Sequence, residues 1–477
     1  MWIAKTCLPL HTFQIFMANI NTNSQVTFRT AVAIVVANMI GAGVFTSLGY
    51  QAAGTPSVFP LMMLWVVGGI VALCGALSYG EMAGLFPRSG GEYNYLSETY
   101  HPAFGFLSGW ISATVGFAAP VALAAVALGK YGNAVLPDVP VVAISLVVLL
   151  GITAIHSTSI KAGSIFQQYS TGVKIILIVG FIFGGLFLTP APQTVNLYPK
   201  EGDWTMIFSS AFAVNLAFVS FAYSGWNASA YLANEIENPQ RNVPRSLLVG
   251  TLSVMAVYII LNFVFLYTLP AGAYAGAQAK DFSRPLEVGA LSADVFLGTT
   301  GGKVMAGMIA LLLISSISAM VFAGPRVLKT MGEDLPLLKS ISTTNKNGIP
   351  VLAIIIQSTI SAVLILTASF DKILYAIAFT LDIFTFSTVL GVFVMRFKAP
   401  HAVRPYKTWG YPFTPLVFLA GTGWAMYFLL TTRTQESLVA LGVILVGIII
   451  YFVDKIDLLL KESKEIKQRL DILEKQK

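Results

Sequence analysis

Four features interrupt long apolar stretches of this chain, and each could do chemistry where water does not reach. Asn38-Met39-Ile40-Gly41-Ala42-Gly43 and Phe221-Ala222-Tyr223-Ser224-Gly225-Trp226-Asn227 put glycines and small residues in the middle of apolar runs; Lys174 and Asp382 put a charge there. A helix that breaks in an apolar medium leaves carbonyls at the end of its first half and amides at the start of its second half without partners, and lipid supplies none. A ligand can. The amides of Gly41, Ala42 and Gly43 would open a half-helix N-terminus, whose positive dipole end favours a carboxylate. Carbonyls near Met39 and at Phe221, Ala222 and Ser224 would accept from an ammonium. A carboxylate and an ammonium held a few ångströms apart describe an α-amino acid. Because backbone atoms do the holding, this part of the site is indifferent to the side chain, and Trp226 and Asn227 stand as candidate walls of the pocket.

Lys174 falls about ten to thirteen residues from the nearer end of its apolar run, close to the depth of the Gly-Ala-Gly break. A charge at that depth costs several kcal/mol unless paired. Its stem reaches about 6 Å, whereas the interface is about 15 Å away, so snorkelling does not solve the problem. The expectation is an ammonium set against the carbonyls of the broken first helix, where a sodium-coupled carrier would place its sodium ion. A buried lysine could instead exchange a proton. Asp382 also needs a partner and could receive a proton, a cationic side chain or a structural contact. With no acidic residue adjacent in sequence to either break, a neutral substrate is favoured.

The elements that position these residues are membrane spans. Of 477 residues, 56% are apolar and 11% charged, against roughly 25% charged in an average soluble domain, and several runs exceed the roughly 18 residues that mark a spanning helix. A soluble enzyme and a nucleic-acid-binding protein are thereby excluded, and the net charge of +7 is read first as a topology signal. The pattern predicts an all-α membrane protein with twelve spans, at 29–50, 57–86, 102–130, 139–156, 163–188, 204–233, 244–269, 302–328, 350–369, 371–395, 411–431 and 436–453. Lys and Arg number 21 in the loop set that includes the termini and 7 in the other, Lys174 lying within a span, so both termini are expected in the cytoplasm. The breaks in spans one and six match in depth and lie five spans apart, an odd displacement that reverses helix direction, as an inverted five-plus-five repeat requires. The segments are then a tail (1–28), a first repeat (29–188), a second repeat (204–396), two added spans (411–453) and a charged tail (454–477) read as a solvated or membrane-surface helix.

Little else in the chain carries chemistry. Cys7 and Cys74 do not suggest a disulfide, and the four histidines, His11, His101, His156 and His401, lie at span ends or in loops. No H-E-x-x-H or G-x-S-x-G is present to suggest a membrane enzyme; neither a metal nor a cofactor is expected. Glu81, Glu235, Glu237, Arg241, Arg245 and Arg326 fall at the cytoplasmic ends of spans and read as solvated interface charges, gate salt bridges being the alternative. No apolar segment of signal-peptide length precedes the first span, and Met17 is a candidate start.

These residues resemble the amino acid–polyamine–organocation superfamily, and within it the bacterial relatives of the L-type amino acid transporters. Ile40-Gly41-Ala42-Gly43-Val44-Phe45 is similar to that family's G-S-G-I-F break, and Tyr79-Gly80-Glu81-Met82 with Pro87-Arg88-Ser89-Gly90-Gly91-Glu92-Tyr93 to its second-to-third-span signature. Phe221-Ala222-Tyr223-Ser224-Gly225-Trp226-Asn227 is similar to the F-A-Y-G-G-W-N break, Glu235-Ile236-Glu237-Asn238-Pro239 with Arg241 and Pro244 to the loop beyond it, and Ala323-Gly324-Pro325-Arg326 to the eighth span. Ala42 stands where serine is usual and Ser224 where glycine is usual, which leaves the backbone role intact and changes pocket volume. The resemblance implies alternating access, substrate held at the two breaks, exchange rather than proton symport, a bacterial inner-membrane location and Lys174 at the position of a sodium-replacing lysine. Heavy-chain pairing in the animal relatives uses a cysteine between spans three and four; residues 131–140 hold none, so no disulfide-linked heavy chain is expected. A non-transporting amino acid sensor on the same fold is the reading from a different class.

Overall fold

The computed structural model describes residues 26–41, 43–136, 138–270, 288–367 and 370–475. Ala42, Cys7, Met17, Lys280 and Arg284 lie outside the described residues. Thr27 opens α1 (Phe28–Met39), its Oγ1 accepting from the Thr30 amide, and the helix stops at Ile40 ahead of Gly41. It resumes as α2 (Gly43–Gly54). Then follow α3 (Val58–Leu85), α4 (Glu92–Thr99), α5 (Pro102–Ile111), a π-turn over Ser112–Gly116, α6 (Ala118–Val135), α7 (Val141–His156) and α8 (Ile160–Phe187). The second half of the chain gives α9 (Asp203–Ile207), α10 (Ser210–Tyr223), a 3-10 segment over Ala228–Glu235, and α11 (Pro239–Thr268). It continues with α12 (Val288–Leu297), α13 (Thr299–Asp334), a 3-10 turn at Pro336–Ser342, α14 (Val351–Thr367), α15 (Phe370–Lys398), α16 (Phe413–Thr432) and α17 (Thr434–Lys475).

Among the described residues there is no strand, only an isolated bridge between Val26 and Ile236. Among the described residues eight stretches are long and apolar enough to cross a membrane, lying in α3, in α5 with α6, and in α8, α11, α13, α15, α16 and α17; α1, α7, α12 and α14 are shorter apolar helices. Apolar side chains face outward, as a lipid solvent requires: Val147 on α7 and Ile176 on α8 are 69% and 71% exposed. Inside, α11 lies along α3 and α1, and α13 packs on α6, α8 and α1.

Several features depart from the sequence expectation. The third span is not one regular helix: its π-turn closes with Phe117 N donating to Ser112 O at 2.9 Å. The sixth span resumes after its break as a 3-10 segment rather than an α-helix. α4 and α12 occupy stretches read as connections. The last span and the charged tail form one helix, α17, since nothing after Val453 interrupts helical propensity.

The charges at one end of the bundle also correct the sequence reading. Glu81, read as a solvated interface charge, is fully buried, held by Arg396 (2.7 Å), Arg404 (3.1 Å) and the Thr408 amide (2.7 Å). Arg326 is buried, paired with Glu235 at 3.0 Å and seated 4.2 Å from the Phe322 ring centre. The reason is tertiary: connecting segments fold back over the span ends and exclude water there. Glu237, Arg241 and Arg245 do face solvent. Nearby, Arg88 bonds Asp334 (2.9 Å) and Glu333 (3.4 Å), and Val26 exchanges backbone bonds with Glu235 and Glu237. This end is therefore closed by ion pairs that join α3, α13, α15 and the segment after the second break.

Candidate binding site at two interrupted helices

Two glycines let the interrupted helices approach. A Cβ on Gly225, whose φ is +91°, would lie 2.9 Å from the Asn38 Cβ and 3.0 Å from its carbonyl carbon. A Cβ on Gly43 would lie 3.1 Å from the Ala222 Cβ. Any larger residue at position 225 would meet both a left-handed backbone and the other break. The chain on either side of the first interruption, at Asn38 and Gly43, thus meets the second break at Gly225 and Ala222 in the interior. Gly41 has open space where a Cβ would stand.

The carbonyls exposed by the breaks are not left bare. Tyr258, fully buried on α11, brings its hydroxyl 2.5 Å from Met39 O and 3.0 Å from Ala222 O. One hydroxyl proton is thus shared between the last carbonyl of α1 and the second-to-last of α10, so each carbonyl keeps acceptor capacity. Phe221 O accepts from the Ser224 amide at 3.0 Å, while the Phe221 ring packs with Ala119, Leu123 and Ile377, apart from the cavity lining.

Lys174 has no exposed surface. Its ammonium donates to Ile40 O (2.6 Å), Ala37 O (3.1 Å) and Ser316 Oγ (2.7 Å), so all three donors are used. Ser316 in turn donates to Ile40 O at 2.5 Å. A cation is therefore seated on the carbonyl end of the broken first helix, where the negative end of a helix dipole favours it.

Beside the second break lies a cavity with an empty volume of about 830 Å³, its mouth included. Ser224, Gly225, Trp226 and Asn227 line one side; Asn38, Glu92 and Asp382 contribute polar atoms from three other elements. Trp226 stands edge-on to Tyr79, with ring centres 4.6 Å apart, and leans on Phe418. Asn227 is held rather than loose: its amide donates to Glu92 Oε1 (2.8 Å) and to the Tyr231 hydroxyl (3.2 Å), and Tyr79 donates to the same Glu92 oxygen at 2.6 Å. Asp382 lines the cavity from α15.

The structure thus lines the cavity with Ser224, Trp226 and Asn227, sets Gly43 against Ala222 outside that lining, places Met39 and the Lys174 side-chain nitrogen at the end of α1, and gives the Phe221 carbonyl to the Ser224 amide. Sequence reasoning missed Tyr258, Ser316, Glu92 and Tyr231. Tyr258 is a single hydroxyl in an apolar run and carries no local signal. Glu92 was legible within the Pro87–Tyr93 run, but nothing in that run says it points inward. Among the described residues, no group of three or more His, Cys, Asp or Glu side chains converges to hold a metal ion.

An all-helical protein with several helices long and apolar enough to cross a membrane, and a polar, partly aromatic cavity beside an interrupted helix, has the form of a multi-pass membrane transporter. The chain belongs to the amino acid permease family, whose model matches residues 26–451. It is 28% identical over 431 residues to a serine/threonine exchanger of Bacillus subtilis, covering 88% of this chain and 94% of that one. It is 27% identical over 432 residues to the human b(0,+)-type amino acid transporter 1, covering 89% and 86%. Over 441 residues it is 26% identical to the mouse large neutral amino acids transporter small subunit 2, covering 89% and 79%.

Proposed function

We propose that this protein carries neutral L-amino acids across a bacterial inner membrane without sodium, by alternating access and in exchange for amino acid on the other side. Twelve crossings, two inverted five-span repeats and cytoplasmic termini complete the proposal, as does a carrier without a disulfide-linked heavy chain. The substrate's carboxylate meets the amides that open α2, and its ammonium meets carbonyls at the breaks that keep a free lone pair. The observation that carries the reading is Lys174: a fixed ammonium on Ile40 O, Ala37 O and Ser316 Oγ fills an oxygen-lined seat on the first break, which leaves no need for a coupling cation there. Exchange is supported by the exchanger among the relatives. The Asp382 carboxylate in the cavity favours a second reading, proton symport or a cationic substrate.

Sodium-free uptake of labelled amino acid into proteoliposomes separates these. Uptake only into vesicles preloaded with unlabelled amino acid is the expected result. Uptake into empty vesicles driven by an inward proton gradient would contradict exchange, and saturable binding with no flux under either condition would identify a sensor.

A further inference from the structure

Asp382 stands apart from the other polar groups of the cavity. Its Oδ2 is buried, with no hydrogen-bond partner among the described residues. Thr385, one turn further along α15 and also in the lining, spends its hydroxyl on the carbonyls of Leu381 and Asp382. Glu92, the other carboxylate in the lining, already accepts from Tyr79 and Asn227 through Oε1. Asn227 has both amide bonds directed to Glu92 and Tyr231, and Asn38 donates to Ile34 O on its own helix. Lys174 does not line the cavity and has all three of its donors engaged elsewhere. Phe117, Val71, Ala72 and Phe418 make much of the remaining wall apolar. The protein thus presents a walled cavity in which a carboxylate oxygen waits for a donor that the surrounding chain does not supply. Buried acceptors are ordinarily paired, and pairing matters most away from water.

We infer that Asp382 reads the substrate's side chain, and that the favoured amino acids carry an N–H or O–H donor at the end of that side chain. The inference rests on the reading of this cavity as the amino acid site. The backbone groups at the breaks fix the α-carboxylate and α-ammonium of every substrate alike. Discrimination must then come from side chains of the lining, and Asp382, whose buried Oδ2 has no partner among the described residues, gains a bond from one side chain and loses none to another. A site that hydrogen-bonds its ligand rejects the analogue that lacks the donor, because the site's own polar atom is left unpaired. Two kinds of side chain share this chemistry: a neutral hydroxyl or amide, and an ammonium. An ammonium would move the substrate class from neutral to cationic.

The test is competition against labelled amino acid uptake in sodium-free proteoliposomes of the full-length protein, using competitors matched in shape: threonine against valine for the neutral donor, lysine against norleucine for the charged one. The donor member of at least one pair should bind about tenfold more tightly, equivalent to about 1.4 kcal/mol. Asp382→Leu should abolish that ratio while leaving inhibition by the apolar member in place. Asp382→Asn keeps an acceptor without the charge, so it should retain a threonine preference and lose a lysine preference. Wild-type protein that takes up amino acids yet distinguishes neither pair would overturn the inference and leave the carrier reading standing, as would a donor preference that survives Asp382→Leu. Protein that takes up no amino acid at all would overturn both.

Discussion

Lys174 concentrates the chemistry of this molecule in one ammonium. A cation with no exposed surface persists because Ile40 O, Ala37 O and Ser316 Oγ take its three donors, and removing it takes a donor from each, leaving only the Ser316 hydroxyl on Ile40 O. Hydrogen bonds to a charged group are worth about 1.5–3 kcal/mol each, so Lys174→Ala should lower initial uptake by about a hundredfold at unchanged amounts of protein in the membrane; equal turnover would remove Lys174 from the mechanism. Tyr258 makes a milder case. Tyr258→Phe keeps the ring and deletes the proton shared by Met39 O and Ala222 O; leaving a buried acceptor unpaired costs about 1–3 kcal/mol, and uptake should fall about tenfold. Lys174 was legible in the sequence because a charge inside an apolar run has to be paired. Its partners were not, since Ser316 sits on another helix in a run of small polar residues that fits ordinary helix packing equally well.

At the scale of elements, the two breaks depend on their glycines. Gly225 combines a left-handed backbone with a Cβ position 2.9 Å from Asn38, so Gly225→Ala should push α1 and the segment after α10 apart. The backbone cost alone is about 1–2 kcal/mol. The expected outcome is uptake reduced about tenfold or more, with the apparent KM raised, in protein that still inserts and purifies as a monodisperse species. Wild-type kinetics would show that the breaks tolerate separation. The interruption at Gly41 was legible because two glycines in three residues cannot sustain a helix without cost. The 3-10 form of Ala228–Glu235 and the π-turn at Ser112–Gly116 were not, because composition does not separate these tighter or wider turns from an α-helix inside an apolar span.

For the whole molecule, the asymmetry between its ends matters most. Arg326 with Glu235, Arg88 with Asp334, and Glu81 with Arg396 and Arg404 close the end of the bundle that holds Val26, and the alternating access we propose would require this end to open. Arg326→Ala strips the partner from Glu235 and should shift the population toward an open end by several-fold. In a background lacking Cys7 and Cys74, Ser224→Cys would report it: an impermeant thiol reagent applied from the Arg326 end should label the cavity faster once Arg326 is removed. Unchanged labelling would mean that the ion pairs do not set access. The membrane-spanning, all-helical character was legible from apolar length, whereas twelve spans and cytoplasmic termini stay proposals; the buried state of Glu81 and Arg326 was not legible, because a charge at a span end looks the same whether a loop covers it or water does. The central claim is that an amino acid crosses at the two breaks with Lys174 standing where a sodium ion would otherwise be needed. The most direct test is exchange of labelled amino acid in proteoliposomes, with choline replacing sodium on both sides, for the wild type and Lys174→Ala. Equal wild-type exchange in choline and sodium, with loss of exchange in the variant, is the expected result. Wild-type exchange stimulated several-fold by sodium, or undiminished exchange in Lys174→Ala, would contradict it.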